Sequence, residues 1–153
     1  MKKLFLAIVV FIIPTCGIWA QKIEYKIVTS IESIVPMGLG RSRIIENDEP
    51  RDYTAFTSTR TTEGTEKTKM KRSDARIDNM RESTLLNFYS AVGINFSNVA
   101  SNDAILTSML NAYAQDGWEL AFVTSGVESD AGSNDGNGIF VTRYVFKKNS
   151  ELE

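Results

Sequence analysis

The segment Pro36-Met37-Gly38-Leu39-Gly40-Arg41-Ser42-Arg43 sets two glycines one residue apart and follows them with two arginines. Glycines let neighbouring backbone N–H groups turn toward one point, and guanidinium groups add charge and forked donors. Together they can form a small anion-binding nest. Gly38, Gly40, Arg41 and Arg43 are therefore the candidate binding residues, and a small anionic ligand is what they would take. The segment is not a nucleotide loop, because it lacks the Gly-Lys-Ser/Thr ending of a P-loop and the third glycine of a dinucleotide fingerprint. A turn flanked by solvated arginines explains it without any ligand.

Two other groups carry oxygen chemistry. Glu128, Asp130, Asn134, Asp135 and Asn137 offer the ligands calcium uses, but their spacing is not that of an EF-hand, and the same residue types are selected by turns. Glu119, Glu128 and Asp130 could serve as an acid/base pair only if the fold brought two of them together. The chain has no His, and its one cysteine is Cys16. That excludes Ser-His-Asp and Cys-His catalysis, a disulfide within the chain and a Cys zinc site. With 17 basic and 19 acidic residues among 153 and a net charge of −2, phosphate neutralisation along DNA or RNA is not expected. No catalytic residue, metal ligand or cofactor is assigned on these grounds.

The elements that must position these groups can be read in order. Lys2-Lys3, the ten apolar residues Leu4–Ile13 and Ala20 before Gln21 have the layout of a secretory signal peptide over 1–20. The run is too short for a membrane span, which needs about 20 residues. Cys16 offers lipid modification as an alternative, but Pro14 and Thr15 are poor lipobox residues, and cleavage after Ala20 is preferred. A periplasmic or extracellular location follows.

Residues 21–148 read as a single domain with a frayed tail at 149–153. Ile23–Ile31 alternates like a strand, with Ile23, Tyr25, Ile27 and Ile31 expected to face the core. Residues 32–99 form an insertion, and 46–72 a long exposed, partly mobile loop, since 57–69 contains no apolar side chain. A short helix is expected near 74–82, an extended segment over 85–91 and a turn at Gly93. Residues 101–116 carry Ile105, Leu106, Met109, Leu110 and Tyr113 on one helical face, with Ser101 or Asn102 as N-cap and Gly117 as the left-handed C-terminal residue. Trp118–Val127 and Ile139–Lys147 flank a polar Gly/Asn/Asp loop and read as a β-hairpin.

The motifs Glu24-Tyr25-Lys26-Ile27-Val28, Asp116-Gly117-Trp118-Glu119-Leu120 and Tyr144-Val145-Phe146-Lys147-Lys148, with a helix between the first two, resemble the small bacterial domain of unknown function 4177 family. The resemblance covers 23–31 and 101–148. It implies an α+β fold with a β-α-β-β core, one helix on a small antiparallel or mixed sheet, and no assigned catalytic residue. This chain departs from the pattern by the insertion after its first strand and by its long hairpin loop.

The function expected is that of an exported, non-catalytic binding or interaction module of the cell envelope, with an unidentified protein or small anion as partner. A carboxylate-based enzyme and a structural oligomerisation module are the alternatives. The sheet face away from the helix carries enough apolar side chains to need a cover. The insertion, through Leu85, Leu86, Phe88, Tyr89, Ile94 and Phe96, is the expected one, and a second subunit the other.

Overall fold

The computed structural model describes residues 22–33, 42–68, 70–90, 92–128 and 139–150. Strands β1 (Lys22–Ser33), β2 (Arg43–Glu46), β3 (Thr59–Thr61), β4 (Gly64–Glu66), β5 (Arg81–Thr84), β6 (Tyr89–Ser90) and β7 (Gly93–Ile94) precede helix α1 (Phe96–Gln115). Strands β8 (Glu119–Glu128) and β9 (Ile139–Ser150) follow it. The main sheet is antiparallel with order β5-β2-β1-β9-β8. The fold is thus α+β, with one helix on a five-stranded antiparallel sheet and two small hairpins, β3-β4 and β6-β7.

The helix-to-strand junction follows directly from its residues. Gly117 adopts φ +83°, its N–H donates to Ala114 O at 3.0 Å, and the Trp118 N–H donates to Tyr113 O at 2.9 Å. This is the paired bonding of a Schellman ending, which satisfies carbonyls the helix leaves open. It also carries Trp118 back against Tyr113 at the edge of the core. The GW pair is therefore a folding device, and Glu119 pairs with Lys147 at 3.2 Å on the far side of the sheet.

The helix starts earlier than the capping residues suggested. Asn95 is the N-cap, its side chain accepting from the N–H groups of Ser97 and Asn98. Ser101 and Asn102 lie inside the helix. Asn102 is almost fully buried: its amide accepts from Leu86 N–H at 2.8 Å and donates to Leu86 O at 2.7 Å and Glu32 at 3.1 Å. Nearby, Ser42 Oγ accepts from the Ser33 N–H and donates to Asn87, while Asn98 donates to Asn87 O. This polar line sews the segment before β6 to both the helix and the end of β1.

The insertion differs most from expectation. No helix forms over 74–82; a 3₁₀ turn at Arg72–Ala75 is followed by the extended β5. The stretch 46–72, expected as a long exposed, partly mobile loop, holds a 3₁₀ turn at Tyr53–Phe56 and the exposed hairpin β3-β4. The reason is local: Asp52 caps the first turn through Thr54, and Gly64 supplies φ +156° beside the tight turn. Gly93, at φ +117°, closes the β6-β7 hairpin, as a turn at that position requires.

The core sits between the helix and one sheet face, formed by Val28, Ile44, Leu85, Tyr113 and Phe146. Its β1 face is the opposite of the one expected. Val28 and Ser30 are buried, whereas Ile23, Tyr25 and Ile27 are about half exposed or more. Register decides this: Val28 pairs with Tyr144, and Lys26 with Phe146, so the even residues of β1 share the helix side. On β8 a bulge between Leu120 and Phe122 shifts the alternation, so that Leu120 and Val123 lie on the helix side and Phe122 on the other. The insertion adds strands to one edge and buries Leu85 under the helix; Phe88 meets Phe140 there at 6.0 Å. Leu85 and Phe88 thus lie on the helix side, contrary to the expected arrangement, and beside the far face of β1 the insertion sets Asn47, Pro50 and Ile77 instead.

Candidate functional site

β1 delivers Lys26, β2 delivers Glu46 and leads into Asp48, β5 delivers Arg81, and the last turns of α1 deliver Tyr113. Register makes the meeting possible: Val28 pairs with Glu46, and Glu46 pairs with Arg81. Lys26 Nζ lies 2.7 Å from Asp48, Arg81 lies 2.9 Å from Asp48 and 3.3 Å from Glu46, and the Tyr113 hydroxyl donates to Glu46. The Lys26 ammonium also stands 5.5 Å from the centre of the Tyr113 ring, which stacks on Phe146 at 4.5 Å. Beside this network opens a cleft of about 430 Å³, lined in part by Ser83, Ile105, Met109, Asp116 and Trp118.

The electrostatics of the network are those of mutual satisfaction. The hydrogen bond from Lys26 holds the Asp48 carboxyl below its ordinary value. Glu46, then Asp48, raises Arg81 further. Burial, reinforced by the hydrogen bond to Glu46, pushes the Tyr113 phenol well above its ordinary 10.0. Two carboxylates face two cations, and the phenol is locked in its neutral donor state. A general base needs an available carboxylate matched to working pH; here each carboxylate is already engaged.

A titration follows from this. With its folded value raised, Tyr113 contributes stability that is present below pH 10.0 and is lost as pH rises from there through the folded value. Wild-type stability should therefore fall more steeply above pH 10 than that of Tyr113→Phe, as measured by urea unfolding at successive pH values. Parallel curves would show that Tyr113 titrates as a free phenol.

Of the candidate anion, calcium and acid/base residues, Arg43, Glu119 and Glu128 lie among the described residues. Arg43 lies in β2, where its guanidinium meets both Glu82 oxygens at 2.8 Å, while Gly38, Gly40 and Arg41 lie outside the described residues. Glu119 and Glu128 stand at opposite ends of β8, about 30 Å apart at roughly 3.3 Å per residue. They cannot form an acid/base pair with each other. Asp130, Asn134, Asp135 and Asn137 lie outside the described residues. Among the described residues no cluster of three or more His, Cys, Asp or Glu side chains is arranged to hold a metal, and no helix is long and apolar enough to cross a membrane. Sequence reasoning missed Lys26, Glu46, Asp48 and Arg81 entirely. Tyr113 was placed on the core face of the helix, which is correct, but its polar end gave no signal.

A second feature is exposed rather than concave. On the sheet side away from α1, Ile27, Val145 and Phe122 form a row across β1, β9 and β8. Val145 is buried between its neighbours, but Ile27 and Phe122 are 53% and 57% exposed, and Tyr25 beside them is 63% exposed. Every residue of β8 from Glu119 to Val127 is exposed, on both sheet faces. Isolated apolar side chains on a surface need no explanation, but a contiguous set marks a contact surface. No protein-family model and no curated protein matches this chain.

Proposed function

We propose that the protein is an exported, non-catalytic interaction module of the cell envelope, working through the open side of its sheet. The observation that carries this reading is the exposed apolar set Tyr25, Ile27 and Phe122 on a domain whose best-formed carboxylate cluster is internally neutralised. Export is supported by Lys2-Lys3 and the apolar run that follows. Kinship with the domain of unknown function 4177 family is proposed on the three motifs alone. For the carboxylate-enzyme alternative, Glu119 and Glu128 stand too far apart along β8 to work as a pair.

The test uses cells producing the full chain. Its mass in the periplasmic fraction should correspond to a start at Gln21. In mildly solubilised envelope extract the wild type should migrate above its own mass on a native gel. The Tyr25→Lys/Ile27→Lys variant should keep its melting temperature and lose that larger assembly. A full-length cytoplasmic chain would refute export. Wild type migrating alone in the extract would refute the interaction.

A further inference from the structure

We propose that β8 is a self-association edge, on which a second copy of this chain adds its own β8 antiparallel, joining two five-stranded sheets into one. This inference rests on the interaction reading and names its partner.

The two edges of the main sheet are built differently. One is β5, four residues long, carrying Arg81 and Glu82. Short, charged edges resist pairing with another chain. The other is β8, ten residues long, with neither proline, lysine nor arginine between Glu119 and Glu128. Its blunting features, the bulge between Leu120 and Phe122 and the charges of Glu119 and Glu128, lie toward its ends. Beyond the bulge a regular ladder runs from Phe122 to Glu128. At about 3.4 Å per residue, that is roughly 24 Å of edge offering backbone donors and acceptors.

Symmetry and charge select a second copy as occupant. In an antiparallel pair related by a two-fold axis, residue i facing j requires j to face i, so the axis must fall on a residue that faces itself. The midpoint of the regular ladder is Ser125. An axis there sets Val123 opposite Val127 of the second copy, twice, on the same sheet face. Both valines are about half exposed in the single chain. β-branched residues facing each other across strands are favourable pairs. The same register leaves Glu119 beyond the bulge, where Lys147 already neutralises it, so the two copies of Glu119 do not oppose each other's Glu128. On the open face the same register sets Phe122 opposite Glu128 of the second copy, so the row Ile27–Val145–Phe122 ends at the joint.

Light scattering on the purified full chain should give twice the single-chain mass, falling to the single mass on dilution. Val123→Lys should give the single mass at every concentration. In a Cys16→Ser background, Ser125→Cys should form a covalent dimer on mild oxidation, while Thr59→Cys, on the β3 hairpin, should not. The cysteine pair reads the geometry even if the lysine variant fails to fold. A single-chain mass at all concentrations overturns the proposal, as does a dimer that Ser125→Cys does not trap. A purified chain that stays single but still migrates in a larger assembly in envelope extract would overturn this inference and leave the interaction reading standing.

Discussion

Phe146→Ala should lower the melting temperature by on the order of ten degrees or more, whereas Phe122→Ala should leave it nearly unchanged. Phe146 is 1% exposed and stacks on Tyr113 at the centre of the core. Removing a buried phenylalanine costs about 3–5 kcal/mol through lost transfer energy and the cavity left behind. A domain of this size shifts by several degrees per kcal/mol. Phe122 is 57% exposed, and substitutions of this kind usually change stability by about 0.5 kcal/mol or less. Both phenylalanines sit on alternating strands, and without the bulge Phe122 would share the helix side with Phe146. The contrast between them therefore measures the β8 bulge. Equal losses would place Phe122 under the helix and remove the basis for an open sheet face.

Asn102→Asp should be at least as damaging as Asn102→Ala, although aspartate nearly matches asparagine in shape. The alanine variant leaves the Leu86 N–H and C=O without their partners, at about 1–3 kcal/mol for each buried group left unpaired. The aspartate can still accept from Leu86 N–H, but it cannot donate to Leu86 O and sets a carboxylate against Glu32. Burial and Glu32 would both raise the new carboxyl's folded pKa, so its neutral form is favoured in the folded state. The Asn102→Asp deficit should then shrink as pH falls, while the Asn102→Ala deficit should not follow that dependence. Urea unfolding at pH 4 and pH 7 distinguishes them. Equal, pH-independent losses would mean that Asn102 contributes packing alone.

These two positions also show what could be read from the chain and what could not. Gly117-Trp118 was legible because a helix stop, a left-handed glycine and a following aromatic are one local device. The β8-β9 hairpin and the strand character of Lys22–Ser33 were legible from alternation. The buried side of β1 was not: Ile23, Tyr25 and Ile27 are more apolar than Lys26, Val28 and Ser30. It is the pairing of Val28 with Tyr144 that turns the even set inward. β2 and β5 are four residues each, too short to establish a period, and they find each other across the intervening insertion. Asn102 resembled a helix cap, yet its role depends on Leu86 and Glu32, which are distant in the sequence. The Lys26–Asp48–Arg81–Glu46–Tyr113 network was invisible for the same reason. Its members come from four separate parts of the chain and match no spacing.

The central claim is that the open side of the sheet is the working surface and that the Tyr113 cleft is structural. A photoreactive amino acid placed at Phe122, on the open side, and in a separate variant at Ala112, on the cleft wall, tests it directly in living cells. After irradiation, the Phe122 position should give a discrete covalent protein adduct in the envelope fraction, and the Ala112 position should give none. Adducts from Ala112 with none from Phe122 would contradict the account and move the working surface to the cleft.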